Sequence, residues 1–377
     1  MPVQWAKCAD DRLQGCPVAS AVYFRARKNR AEPDHRRIGE ETARALARHQ
    51  AGALSRPAAL RYSVGQPPSG GFEVSRYWLL AIGGGAASVL IYSLTVSGSF
   101  GGLVLAYFAA LPLYLVGLGL GLTAGAAAGA TATIGMLLPG GFMAALVFFF
   151  VTALPTIVLV RQSLLSRNDP QGNVAWYPAG LMVVTLSVFG AGIYTLAALW
   201  LATQPGGFEG TTQAFVENLA SSMTAPGAAE HRENIVNTLT PIVPGFVAAS
   251  WFVMTVINAA LAQGLLVRFQ RNIRPSPDIV SMEFPNWFPI AAAAAALVGL
   301  LLPGALGFYG TNLAIILIVP FFFMGLAVVH ALCRQKSAGP FLLIAFYGML
   351  IVFGWLVVIV ATLGLIEQWI GLRRRFT

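Results

Sequence analysis

Charge is what this chain has least of. Only 10% of its 377 residues are Asp, Glu, Lys or Arg, where a soluble globular chain carries about 25%. With 56% hydrophobic residues and a mean hydropathy of +0.69, that deficit excludes an ordinary water-soluble enzyme. Cysteine is scarce as well. Cys8, Cys16 and Cys333 are too few and too scattered for a disulfide framework or a zinc site. Asp, Glu and Lys are missing from every apolar run, Glu367 standing just past the end of the last, and His330 is the only histidine inside one. A proton-driven pump needs buried carboxylates on which a proton can rest in a medium that penalises charge, so that class is disfavoured. No His-Glu-x-x-His, Gly-x-Ser-x-Gly, Gly-x-x-x-x-Gly-Lys-Ser/Thr or paired-Asp motif occurs. We therefore expect no catalytic residue, no cofactor and no metal, and any phosphate-driven motor must be another subunit.

What the chain does have is long apolar runs. They lie at 77–94, 101–120, 123–138, 142–160, 178–202, 243–267, 288–306, 312–332 and 341–365. A helix of about 20 such residues crosses a bilayer core. The expected fold is all-α: a polytopic transmembrane helical bundle over 76–377 with about nine spans. Eight is the alternative, because 123–138 is short and dominated by Ala and Gly.

Residues 1–75 read differently. They are rich in Arg, Ala and Pro, and they hold no apolar core of the kind a secretory signal needs. A disordered basic tail near anionic lipid is expected there. The other reading is a gene-start artefact, with the natural start near Val74.

The net charge of +9 invites a nucleic-acid reading, but its placement argues against one. Half of the 24 Lys and Arg residues precede residue 76, and most others follow apolar runs. That is the pattern of cytoplasmic flanks, and it names the lipid bilayer, not nucleic acid, as the partner. A cytoplasmic N-terminus places Arg76, Arg161, Arg167, Arg268, Arg271, Arg274, Arg334 and Lys336 inside. The polar segment 204–240, with Glu209, Glu217, Glu230, Arg232 and Glu233, then lies outside. One conflict remains, because nine spans carry Arg373, Arg374 and Arg375 outside. Either the last run is not a simple crossing or a short one fails to span. Arg161, Arg268, Arg334, Glu367 and Arg373 read as helix-end anchors, with Glu367 and Arg373 as an ion pair.

Uncharged polar groups within the runs are the remaining candidates for contact with a solute or a partner: Tyr194, Asn258, Gln263, Asn312, His330 and Tyr347, with Thr195 beside them. Asn and Gln in a span also serve simply to bond a neighbouring helix. His330, one turn before Arg334, can equally reach headgroups or cap carbonyls. Pro112, Pro155, Pro303 and Pro320 interrupt helices, which frees carbonyls that must be met by neighbours or line a cavity. Gly117, Gly121, Gly125 and Gly129 recur every four residues, as a packing strip or with a tight turn inside it. Phe215, Leu219 and Met223, then Ile235 and Leu239, have the spacing of amphipathic helices lying at the interface, with a lid over an outward cavity as the sharper reading.

Glu283-Phe284-Pro285-Asn286-Trp287, then Phe322 through His330, then Gly364 through Trp369 followed by Arg373-Arg374, resemble the YybS-like family of bacterial membrane proteins. The resemblance covers about 76–375. That family is similar in hydropathy to the substrate-capture subunits of energy-coupling-factor transporters. The resemblance implies a multi-pass protein of the bacterial cytoplasmic (inner) membrane. It implies a helical bundle that binds a solute from outside and works with a separate ATPase and coupling subunits. The alternative is a scaffold or assembly factor that binds envelope proteins.

Overall fold

The computed structural model describes residues 61–62, 71–97, 100–168, 173–223, 229–371 and 373. They belong to one compact unit, Leu60–Thr377. The tail expected over 1–75 lies, but for 61–62 and 71–75, outside the described residues.

Long apolar runs form helices because only a helix satisfies every backbone group within a single segment. In chain order these are α1 (Gly71–Ser93), α2 (Phe100–Ala106), α3 (Leu111–Leu120), α4 (Leu122–Gly135), α5 (Leu137–Phe148), α6 (Leu154–Ser163), α7 (Ala179–Leu201), α8 (Gly207–Met223), α9 (Ala229–Leu239), α10 (Val243–Arg268), α11 (Trp287–Leu301), α12 (Gly304–Arg334), α13 (Gly339–Val352) and α14 (Leu356–Ile370). A π-helical turn, Phe149–Ala153, joins α5 to α6 in one rod. The sequence reading missed a small antiparallel sheet of β1 (Arg61–Tyr62), β2 (Leu165–Asn168) and β3 (Val174–Trp176), with Tyr62 opposite Leu165 and Ser166 opposite Trp176.

Four of the nine expected spans stand out by length and composition. Among the described residues, four helical stretches are long and apolar enough to cross a membrane: Leu137–Ser163 (kinked at Gly141), Ala179–Leu201, Val243–Arg268 and Gly304–Arg334. Run 77–94 forms one helix, α1, while turns and prolines cut several of the others. The 101–120 run breaks between α2 and α3, just before Pro112, and the 288–306 run stops at Leu301, ahead of Pro303. The 341–365 run breaks between Val352 and Leu356. At 1.5 Å per residue, α13 and α14 are each about 21–23 Å long, short of a core about 30 Å thick.

The basic residues gather at one end of the bundle. Arg274, after α10, donates from its guanidinium to the carbonyls of Tyr177 (2.9 Å) and Ser163 (3.2 Å), at the start of α7 and the end of α6. Burial disfavours its charge and lowers its pKa to about 10, so it stays protonated at neutral pH. Arg334, closing α12, reaches Asp278 at 3.4 Å. Tyr77, next to Arg76, bonds the hydroxyl of Thr123 at the start of α4. A Cβ on Gly119, at the end of α3, would lie 3.8 Å from the carbonyl oxygen of Arg271. The first turn of α1, the α3–α4 turn, the end of α6, the start of α7 and the ends of α10 and α12 therefore share this basic end. The acidic α8–α9 pair follows α7 and precedes α10, so it lies at the opposite end.

The last apolar run ends tied, through Arg373, to the connection that Arg334 also reaches. α14 runs antiparallel to α12. A Cβ on Gly325 would fall on the carbonyl of Val360, and one on Gly364 on the carbonyl of Phe321. Gly371, at φ 63°, then turns the chain back. Arg373 donates to the carbonyls of Val280 (2.6 Å) and Met282 (2.7 Å) and to Glu367 (2.9 Å). Arg334 and Arg373 thus hold the same connection, 278–282, from its two ends. Arg373, the described one of the three C-terminal arginines, is thereby joined to a connection that begins at the basic end.

The glycine strip is a packing device with the turn inside it. Gly121, at φ 105°, folds α3 back on α4. A Cβ on Gly125 would then stand 2.9 Å from the Cα of Gly117, and one on Gly117 would meet Val160 at 2.7 Å. Tyr114, Leu118, Val160, Leu186, Phe252 and Val319 make the central core, where α3, α6, α7, α10 and α12 meet.

Candidate functional site

Two cavities lie along α10, one on each side of Trp251. The first, about 420 Å³, is bounded by Gly190, Ile193, Tyr194 and Ala197 of α7, by Phe208, Thr211, Thr212 and Phe215 of α8, and by Val243, Pro244, Val247 and Ala248 of α10. Its walls are almost wholly apolar. The second, about 260 Å³, is bounded by Tyr92, Thr95, the α2–α3 turn, Thr152, Thr156, Met254, Thr255 and Asn258. Val151 and Trp251 line both.

α8 covers the apolar chamber because of its sequence. Thr212, Val216 and Ala220 recur every four residues and are buried, with Val216 and Ala220 packed on Val236 of α9. Phe215 and Leu219, read from sequence as the apolar face of an interfacial helix, are exposed, 57% and 44% accessible; the face buried against protein is offset by one residue. Gly206 and Gly207, at φ 84° and 66°, make the turn that folds α8 over the end of α7. Tyr194 is the wall residue the sequence singled out. Its hydroxyl donates to the carbonyl of Tyr309 on α12 at 3.1 Å, and the two rings stack at 5.3 Å. The phenol is therefore spent on the scaffold and its ring faces the chamber.

Trp251 was not anticipated. Its indole N–H donates to the carbonyl of Val151 at 2.7 Å. Val151 stands four residues before Pro155, which has no N–H to return in the α-helical register. The signal was present in the sequence: a proline in an apolar run leaves a carbonyl needing a donor, and Trp251 is one of few donors in the facing helices.

The polar chamber gathers weak polar groups with no charge. Thr95, Thr156 and Thr255 donate their hydroxyl protons to carbonyls of their own helical turns, those of Tyr92, Thr152 and Trp251. Their oxygens are left as acceptors. Asn258, 1% exposed, donates its amide to the carbonyls of Tyr107 (2.8 Å) and Met254 (2.7 Å). That fixes which way the carboxamide points, and its oxygen has no hydrogen-bond partner among the described residues.

The other residues singled out by sequence are not brought to these cavities. Asn312, fully buried, accepts from the amide of Gly245 (2.7 Å) and donates to the carbonyl of Pro241 (2.9 Å), which clamps the start of α10 to α12. Gln263 donates to the carbonyl of Arg274 at 2.7 Å and holds the 269–278 connection. His330 sits with Nδ1 2.8 Å from the carbonyl of Leu326 and its ring 5.9 Å from that of Tyr347. This pair lies near the basic end, far along the fold from Tyr194. Arg161 and Arg268 are exposed in the last turns of their helices. Among the described residues, no group of His, Cys, Asp and Glu could hold a metal ion.

Neither a curated protein nor a solved structure matches this chain. A family model does, over residues 86–367, well over half the chain and the whole of both cavities. The chain is an integral membrane protein belonging to the family described as predicted membrane protein (DUF2232).

Proposed function

We propose that this protein is the solute-binding component of a membrane transport system. The observation that carries the reading is the apolar chamber of about 420 Å³ between α7 and α10, roofed by the amphipathic α8. Chambers of roughly 300–1,000 Å³ are the size that encloses a small molecule. Its walls hold no charged group, so the ligand class is neutral or amphipathic. The positive-inside rule puts the basic end in the cytoplasm, which sets the chamber toward the outer face. The chain then captures from outside. It carries no phosphate-cradling loop, so release inward depends on a separate ATPase and coupling subunit. The resemblance to substrate-capture subunits supports the same division of labour. We infer no catalysis by this chain itself.

A second reading, a scaffold for envelope proteins, rests on α13, which is buried only at Gly339 and otherwise presents apolar side chains such as Phe341 and Ile344. Lipid covers such a surface equally well, so it ranks second. The test is affinity purification of the tagged chain from native membranes in mild detergent. Recovery of an ATPase with its coupling protein, in stoichiometric amounts, is the expected result. Recovery of envelope-assembly proteins alone would transfer the weight to the scaffold.

A further inference from the structure

We infer that the two cavities are two halves of one site, and that its ligand is an elongated, uncharged amphipathic molecule with a hydrogen-bond-donating head. The apolar body lies under α8 and the head lies in the polar chamber. This rests on the reading of the apolar chamber as a binding site and names the ligand class it takes.

The argument begins with order along α10. Val247 and Ala248 face the apolar chamber, Trp251 lines both, and Thr255 and Asn258 face the polar one. From Val247 to Asn258 the helix rises roughly 16 Å, the length of a short alkyl chain with its head. Trp251 stands where the two chambers meet and lines both. Its ring edge leans toward Gly190, where a Cβ would come within 3.0 Å, and its N–H is held by Val151. An aromatic wall with its polar edge already bonded offers a ligand only apolar surface.

Next comes the chemistry of the head. Thr255 has given its proton to a helix carbonyl, so it offers oxygen lone pairs alone; Thr156 has done the same, with the buried Tyr114 hydroxyl beside it. The carboxamide of Asn258 is locked by two donated bonds, and its oxygen is unpartnered among the described residues. A buried acceptor left unmade costs about 1–3 kcal/mol, which a donor brought by a ligand removes. The chamber therefore asks for O–H or N–H groups. It contains no carboxylate to balance a cation and no cation to balance an anion, and an unpaired charge is costly there.

The test uses the full chain in lipid nanodiscs and three probes: decanol brominated at mid-chain, the equally brominated decane, and the equally brominated decylammonium. Bromine quenches tryptophan on contact, and the part due to Trp251 is the difference from a Trp251→Phe reference. Saturable quenching is expected, with the alcohol binding about fivefold to tenfold more tightly than the alkane and the ammonium no better than the alkane. Thr255→Val, which leaves both donated bonds of Asn258 in place, should narrow that gap, and Asn258→Leu should close it. Equal binding of alcohol and alkane to the wild-type chain overturns the two-part site while leaving the apolar chamber as a binding site. Tighter binding of the ammonium overturns the uncharged class. Absence of saturable quenching by any probe overturns the reading of the chamber itself.

Discussion

The indole N–H of Trp251 donates to the carbonyl of Val151, the carbonyl that Pro155 leaves without a partner in α-helical register. One bond thus repairs a helix break, ties α10 to the segment joining α5 and α6, and fixes two residues that line both cavities. Trp251→Phe keeps the ring and removes the donor, so the carbonyl is left unsatisfied at a cost of about 1–3 kcal/mol. Pro155→Ala returns an N–H to the rod. The double variant should therefore lose less than Trp251→Phe alone, with a coupling of about 1 kcal/mol between the sites. Thermal unfolding of the four proteins of the cycle measures it. Simple additivity would show that the bond does not serve the break.

The packing of α14 on α12 depends on two glycines. A Cβ on Gly364 would sit 2.6 Å from the backbone nitrogen of Gly325. Both clashes at this crossing involve backbone atoms, which cannot step aside. Gly364→Ala and Gly325→Ala should each cost roughly 1–3 kcal/mol or more, whereas Gly348→Ala and Gly354→Ala, with nothing within 4 Å of the added atom, should be tolerated. Unfolding midpoints for the four variants, compared in one detergent, decide this.

Arg373 and Glu367 form a buried pair, with side chains 10% and 2% exposed. Removing one member of such a pair costs about 3–5 kcal/mol, because a charge is left in a dry place. Arg373→Met should cost that much. It should also loosen the end of α14 from the 278–282 connection, read as faster hydrogen exchange at Val280 and Met282.

Because Arg334 and Arg373 hold the same connection, the last run is predicted to start and finish on one side of the membrane. In a background without native cysteines, Lys336→Cys and Trp369→Cys should react with an impermeant maleimide from the same side. Gln213→Cys, on α8, should react from the other side. Labelling of positions 336 and 369 from opposite sides would restore a full ninth crossing.

Much of this was legible in the sequence, at the level of composition. Scarce charge and long apolar runs are enough to specify a helical membrane bundle, and the placement of arginines separated its two ends before any contact was known. The breaks were harder to place. A hydropathy run cannot show that residues 353–355 interrupt it, because Phe, Gly and Trp are all tolerated within a helix in lipid. The polar candidates scattered for a related reason. Asn312, Gln263 and Asn258 have the same chemistry, and only tertiary placement makes the first a clamp, the second a loop anchor and the third a cavity wall. Tyr194 was found because a polar aromatic in a span is conspicuous. Trp251 and the threonines were passed over because each looked like ordinary lining, and their convergence is a property of three facing helices.

The measurement that bears most directly on the central claim is native mass spectrometry of the chain released from membrane nanodiscs, wild type against Ala248→Trp, which places an indole in the apolar chamber. A wild-type chain that carries a small neutral molecule absent from the variant, with both equally stable to heat, is the predicted result. Wild type and variant emerging with the same bound species, or both with none after exposure to a total lipid and metabolite extract, would contradict it.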